Sequence, residues 1–191
     1  VPMGADGVTQ TLLKTIASDR QSEVILDNVK VSSDALLGEL NQGWDTIERV
    51  LQWAAIGKCA EMSGGGQKVL DMTVEYAKQR TQFGRPIGSF QAIQHHCANM
   101  AVDVEGSKFI THQAAWKLSE GIDADKDVAM AKAWVSDALR RVCALGHQSH
   151  GAIGFTKEHD MQLYSRRAKA AEVIFGDTDF HLEKVATHIG L

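Results

Sequence analysis

Proline is nearly absent from this chain of 191 residues; only Pro2 and Pro86 occur. A proline inside a helix removes a hydrogen bond and clashes with the preceding turn, so its scarcity suits a mostly helical protein. Cysteine is also sparse. Cys59, Cys97 and Cys143 are odd in number, far apart and set in apolar, helix-like surroundings. That argues against a disulfide framework and for buried free thiols in a reducing, cytoplasmic compartment. No Cys-x-x-Cys or His-x-x-x-His pair supports a zinc site. No signal peptide is visible, and no apolar run is long enough to span a bilayer. Charge of one sign is lacking as well: a net charge of −4 gives no electrostatic reason to expect nucleic acid. Against these absences, hydrophobic residues make up 44% of the chain, enough for a globular protein with a sizeable core.

Residues 8 to 37 read as strands. TLLKTIASD and SEVILDNVKVS carry alternating or β-branched residues, with Asp27-Asn28 as a turn before Val29 and Val31. Leu36 to Gly43 reads as a loop. From Trp44 to about Arg80 the pattern is helical, with Ile47, Val50, Leu51, Ala54 and Ala55 at three- and four-residue spacing. Gly64-Gly65-Gly66 interrupts that pattern, as a kink or as a place of close helix packing. The clean return of Val69, Leu70, Met72 and Val74 favours packing. Further helices are predicted from Phe90 to Glu120, ended by Gly121; from Asp125 to Ser149; from near Thr156; and from Thr178 to His188. Long helices joined by short loops mean antiparallel neighbours. The expected architecture is mainly α: an antiparallel four-helix bundle over residues 41–191. Residues 1–40 precede it as a short β-strand remnant and linker.

The stretch Tyr76 to Gln91, YAKQRTQFGRPIGSFQ, ends one helix, makes a tight basic turn and starts another. Arg80 supplies a guanidinium for bidentate phosphate binding, Phe83 a ring for stacking and Gly84 room for close approach. The same residues also suit an ordinary helix corner with a solvated arginine.

YAKQRTQFGRPIGSFQAIQH resembles the helix-corner signature of the acyl-CoA dehydrogenase flavoprotein family: Arg, two residues, Phe-Gly, and a Gln soon after. HQSHGAIGFTKEHDMQLYSRRAK, from His147 to Lys169, resembles that family's Q-x-x-G-G-x-G-[YF] segment and the Arg-rich stretch behind it. The resemblance runs from about Asp19 to the end, with the two blocks in the family's order. The first residues, VPMGADGVTQ, carry no initiator Met and no helix cap, and the family's chains are longer. The expectation is the C-terminal part of a longer protein, with residues before 40 as the tail of a β-domain. The resemblance implies FAD as cofactor, with Arg80, Phe83, Gln91, Gln148 and Gly151 approaching it. Ala152 stands where the family's second Gly is usual, which tightens backbone approach. The flavin site of this family is shared between subunits. The implied assembly is therefore a homodimer or tetramer, or a heteromer with a homologous subunit. The implied partners are an acyl-CoA substrate and an electron-transfer flavoprotein.

Desaturating an acyl-CoA needs a carboxylate to remove the α-proton while the β-hydrogen leaves as hydride to flavin. In most of the family that carboxylate is a Glu before Gly-Thr. Counting from Arg166 and Lys169 places Phe175 there, followed by Gly176 and Asp177. The other position used in the family falls in Gln52-Trp53-Ala54-Ala55, again without a carboxylate. Three explanations stand open. A nearby carboxylate substitutes, Asp177 before Glu172 or Asp179. Or the base lies in a preceding part of the protein. Or this subunit is non-catalytic and pairs with a catalytic homologue, as in bacterial enzymes acting on steroid side chains. Asp177 also reads as the cap of the helix that follows. Arg166, matching the family's Arg, is a candidate for the CoA phosphates or a salt-bridged helix face. His147 and His150 flank Gln148 and read as solvated or capping. His95-His96 point different ways from one helix and do not suit a shared metal.

Overall fold

A computed structural model describes residues 1–191. The chain forms two compact units, Val1–Val50 and Leu51–Leu191. In the first, β1 (Val8–Leu13) and β2 (Gln21–Leu26) make an antiparallel hairpin that pairs Val8 with Leu26 and Leu13 with Gln21. Leu12, Val24, Ile25 and Leu26 are exposed on it. Strand structure was predicted as far as residue 37, but the ladder stops at Leu26. The Asp27 N–H donates to Gly7 O at 2.8 Å and Asn28 takes a φ of 51°, so the backbone turns out of register. Val29 and Val31 therefore lie outside any strand, and Ser33–Ala35 form a 3-10 turn.

Helix α1 (Trp44–Gln79) begins in the first unit and continues through the second. The three glycines do not break it. Gly66 is buried against its neighbours: a Cβ there would meet methyls of Val104 and Leu139 at 3.4 and 3.5 Å. Close packing, not a kink, is the use of Gly66; a Cβ at Gly65 would make only ordinary contact with Tyr164 at 3.7 Å, and Gly64 faces open space. Four more helices follow: α2 (Gln91–Ser119), α3 (Asp125–His150), α4 (Met161–Val173) and α5 (Thr178–His188). The predicted fourth helix begins at Met161 and not near Thr156. Gly151 ends α3 at φ 64°, Gly151–Phe155 wraps as a 3-10 turn, and the Thr156 N–H is taken by Ile153 O.

Side-chain contacts fix the helix directions. Gln52 of α1 bonds Asp125 at the start of α3, and Tyr76 of α1 stacks on His150 at its end, so these two run parallel. Gln113 and Lys117 reach Asp127 while Asp103 pairs with Arg141, so α2 runs antiparallel to α3. Ser165 meets His147 and the Glu172 carbonyl meets Lys132, so α4 is antiparallel too. The result is an up-down-up-down bundle, with α2, α4 and α5 packed on α3. Its core holds Met62, Val69, Met100, Val104, Val135, Val142 and Met161, each nearly without exposure. Burying one such side chain stabilises by about 1.5–3 kcal/mol. No helix is long and apolar enough to cross a membrane.

Met100 sits at the centre of this core, fully enclosed. We expect Met100→Ala to destabilise the protein by about 2–5 kcal/mol through the cavity it leaves. Urea unfolding would show this as a lower midpoint at unchanged slope; an unchanged midpoint would contradict the packing described.

Candidate functional site

After α1 the chain reverses within a few residues. Strands β3 (Thr81–Gln82) and β4 (Arg85–Pro86) pair Gln82 with Arg85, leaving Phe83-Gly84 as the tip. Both tip residues have positive φ, 52° and 76°. That combination marks a two-residue hairpin of type I′. Gly84 adopts it freely. Phe83 does not, yet its ring is 92% exposed. A bulky residue held in a left-handed backbone with its ring in solvent does not serve the core. The Phe83 ring meets Phe90 edge-on at 6.0 Å, and the Arg85 guanidinium lies over Phe90 at 4.2 Å. Arg80 is exposed and joins no ion pair. Its backbone is fixed, with N–H donating to Tyr76 O and carbonyl accepting from the Ile87 N–H, both at 2.8 Å. Gly88 then folds back so closely on α1 that a Cβ would lie 3.0 Å from Ala77 O. Gln91 opens α2 at this same end of the bundle and is exposed.

The second corner comes to the same end. The Tyr76 ring stacks on His150 at 4.5 Å, and His147 stacks on Phe155 at 4.4 Å. His150 Nδ1 donates to Gly146 O at 2.8 Å, and His147 Nε2 meets Ser165 Oγ at 2.5 Å. Gly154 allows this wrap: a Cβ there would lie 3.0 Å from His150 Cβ. His150 is thus buried and His147 half-buried, not solvated; the cause is the turn folding down over both rings, and His150 bonds a carbonyl near the end of its own helix. Gln148 points outward from α3 and is exposed. Gly151 follows at φ 64° with open space where a side chain would stand. Arg80, Phe83, Gln91, Gln148 and Gly151 therefore share one end of the bundle.

Asp177 does not join them, whereas Arg166 follows Ser165, which meets His147 beside Gln148. Arg166 is half-buried and donates to Gln162 Oε1 at 3.2 Å on its own helix. Asp177 lies near the other end, where α4 passes into α5. Its carboxylate accepts the Phe180 N–H at 2.9 Å and so caps α5. Phe175 has φ 60° and packs against the core. Beside it, Lys132 is fully buried and His181 Nε2 donates to Phe175 O at 2.9 Å. Sequence reasoning missed Lys132, His181, Tyr76 and Arg85. Lys132 had a signal: it sits in the apolar stripe of Val128, Val135 and Leu139. The others depend on contacts far apart in the chain. Burial pushes the Cys59 thiol up to about 12 and that of Cys143 up to about 11, so neither is a nucleophile at neutral pH. No group of His, Cys, Asp and Glu is arranged to hold a metal ion.

An exposed, unpaired arginine, a presented aromatic ring, two outward amides and an open glycine turn make a surface suited to an anionic, ring-bearing ligand such as a dinucleotide. Residues 41–190 match the family model for the acyl-CoA dehydrogenase C-terminal domain, and the chain belongs to the acyl-CoA dehydrogenase family. It is 35% identical over 168 residues to a 3-(aryl)acrylate reductase of Clostridium sporogenes, covering 88% of this chain and 45% of that one. It is 33% identical over 155 residues to the caffeyl-CoA reductase-Etf complex subunit CarC of Acetobacterium woodii, covering 81% and 41%. The solved structure of an FAD-dependent dehydrogenase superposes with a TM-score of 0.96 at 28% identity, over all of this chain and 52% of that one. The chain thus spans about half the length, or less, of these relatives. FAD is the cofactor of this family. The residues present fit it: the surface above Gly151 is open, and Arg80 carries a charge that no residue of the chain neutralises.

Burial holds His147, His150 and His181 below the ordinary imidazole value of 6.5; the neighbouring His159 adds to this for the first two, and Lys132 for His181. The folded state then binds fewer protons than the unfolded one. This contribution is complete above pH 6.5 and is lost as pH falls below it. Burial alone would raise the Asp127 carboxyl, but hydrogen bonds from Lys117 and Gln113 outweigh it and leave Asp127 below the usual carboxylate value, so its loss comes only in stronger acid. We expect the urea midpoint to fall between pH 7.5 and pH 5.5. A flat profile across that window would contradict the buried neutral imidazoles.

Proposed function

We propose that this chain is part of an FAD-dependent acyl-CoA dehydrogenase. In this reading residues 41–191 grip the flavin nucleotide at the Arg80–Gly151 end and contribute no proton-abstracting carboxylate. The observation that carries it is the hairpin tip: Phe83 in strained backbone with its ring in solvent, three residues after an unpaired Arg80. Arg80 suits bidentate phosphate binding, the Phe83 ring suits stacking, and Gln91 and Gln148 offer directional hydrogen bonds. Gly151 admits close approach of the ligand, with Ala152 narrowing it. When bound, FAD would accept the hydride that leaves the acyl β-carbon.

The α-proton needs a base, and this chain does not offer one where the family has it. Phe175 is packed on the core, Asp177 is committed to capping α5, and Gln52 is bonded to Asp125. The base comes from outside these 191 residues, either another stretch of the parent protein or a homologous partner subunit. In the second case this chain is a non-catalytic, flavin-bearing subunit, which the packed Phe175 favours. A presented Phe83 and Arg80 suit the family's sharing of flavin between subunits, so the assembly is a homodimer, a tetramer or a heteromer. Electrons would leave through an electron-transfer flavoprotein, as the name of the Acetobacterium relative suggests. Arg166 is the residue of α4 that suits the CoA phosphates, at the cost of its bond to Gln162.

Arg80→Ala in the full-length parent tests the flavin grip. We expect less FAD per protein after purification, at unchanged helix content. An unchanged flavin-to-protein ratio would remove Arg80 from the site and with it this reading of the corner.

A further inference from the structure

Lys132 is the largest fully buried side chain of the protein, with 0% exposure. Burying a lysine is costly unless its charge is compensated and its donors are used. No carboxylate is paired with it. Instead Nζ donates to Gly176 O at 2.8 Å, Glu172 O at 2.9 Å and Ser136 Oγ at 3.1 Å. An ammonium has three N–H donors, and each has its acceptor.

Two of those acceptors are main-chain carbonyls on either side of one turn. Glu172 belongs to the last turn of α4, where a helix leaves its carbonyls without partners and where positive charge is favoured. Gly176 lies beyond it, at φ 94°, just before the cap of α5. Between them Phe175 is held at φ 60°, and its carbonyl is taken by His181 Nε2. That bond makes His181 the Nε2–H tautomer, and its Nδ1 is buried without a partner. Three carbonyls of one short segment thus converge on two buried donors. Gly176 has no alternative geometry for a side chain, since a Cβ would fall 2.4 Å from the Phe180 ring. Without these donors, Glu172 O and Gly176 O would be stranded in the interior, and only the packing of Phe175 on the core would oppose relaxation of its left-handed backbone.

We propose that Lys132 is the positioning residue of the α4–α5 turn, its buried ammonium setting the backbone from Ile174 to Asp177 at which a bound acyl thioester is met. The placement of the thioester rests on the function proposed above; the clamp does not. Lys132 touches no reacting atom in this account.

The test is hydrogen exchange by mass spectrometry on the FAD-loaded full-length parent, with binding of S-hexyl- and S-dodecyl-coenzyme A measured alongside. In Lys132→Met we expect amides of residues 173–181 to exchange roughly tenfold faster or more, the loss of a hydrogen bond to a charged group. Amides of α2 should not change, and thioether affinity should fall while FAD content holds. Ser136→Ala, which removes only the hydroxyl acceptor, should give a smaller rise confined to the same segment, and it keeps the test open if Lys132→Met does not fold. Unchanged exchange at 173–181, or a rise spread evenly over the bundle, would overturn the proposal and make Lys132 an ordinary core residue. A confined rise in a parent that binds neither thioether would uphold the clamp and count against the acyl-CoA reading.

Discussion

The candidate site depends on one contact above the rest: the Tyr76 ring lying on His150 at 4.5 Å. Tyr76 is one turn before Arg80 on α1, and His150 is one residue before Gly151 at the end of α3. Two corners more than sixty residues apart in sequence are brought to one end of the bundle by this stack and by the parallel course of α1 and α3. On each side of the stack a glycine lets the chain fold tightly, Gly88 against Ala77 and Gly154 against His150. The polar residues that result, Arg80, Gln91 and Gln148, stay in solvent above a layer of stacked rings, Tyr76 on His150 and His147 on Phe155.

The two ends of the bundle carry different physics. At the Arg80–Gly151 end the donors are exposed and unpaired, as an anion site requires. At the other end, about 27 Å along α3 from His150 to Lys132, a buried lysine and a buried histidine hold the carbonyls of the α4–α5 turn inward. There the side chains are already committed: Phe175 to the core, Asp177 to the α5 cap. A ligand-ready surface at one end and a locked turn at the other suit the proposed function, in which the chain holds a cofactor and the proton-transfer group is supplied from elsewhere.

Much of this could be read from the residues. The five helices follow from three- and four-residue apolar spacing, and the end of α2 follows from Gly121, which takes a φ of 68°. The continuity of α1 through Gly64-Gly65-Gly66 follows from the clean return of Val69 and Leu70, with Gly66 the one that packs closely. The Arg80–Gly84 and Gln148–Phe155 blocks stood out because their residue types are unusual for a helix corner. What did not show was long-range or conformational. The early stop of β2 depends on Asp27 bonding Gly7, and the late start of α4 on a 3-10 turn that no periodicity announces. The left-handed backbone of Phe83 and Phe175 cannot be inferred from phenylalanine, which disfavours it. Lys132 is a charge in an apolar stripe, visible as an anomaly, but its three acceptors come from α3 itself and from a turn forty residues on.

This chain is proposed above to hold flavin while the base comes from elsewhere. The most direct measurement is an anaerobic titration of the FAD-loaded full-length parent with a panel of acyl-CoAs, following flavin absorbance, for the wild type and for Asp177→Asn. Asparagine caps a helix about as well as aspartate, so the fold is preserved while the first-ranked of the nearby carboxylates is removed. The same course is expected in both proteins, whether the flavin bleaches through a base supplied elsewhere or stays oxidised with every thioester. Bleaching in the wild type that slows by about a hundredfold or more in Asp177→Asn, the scale of a lost general base, would contradict it and make Asp177 that base.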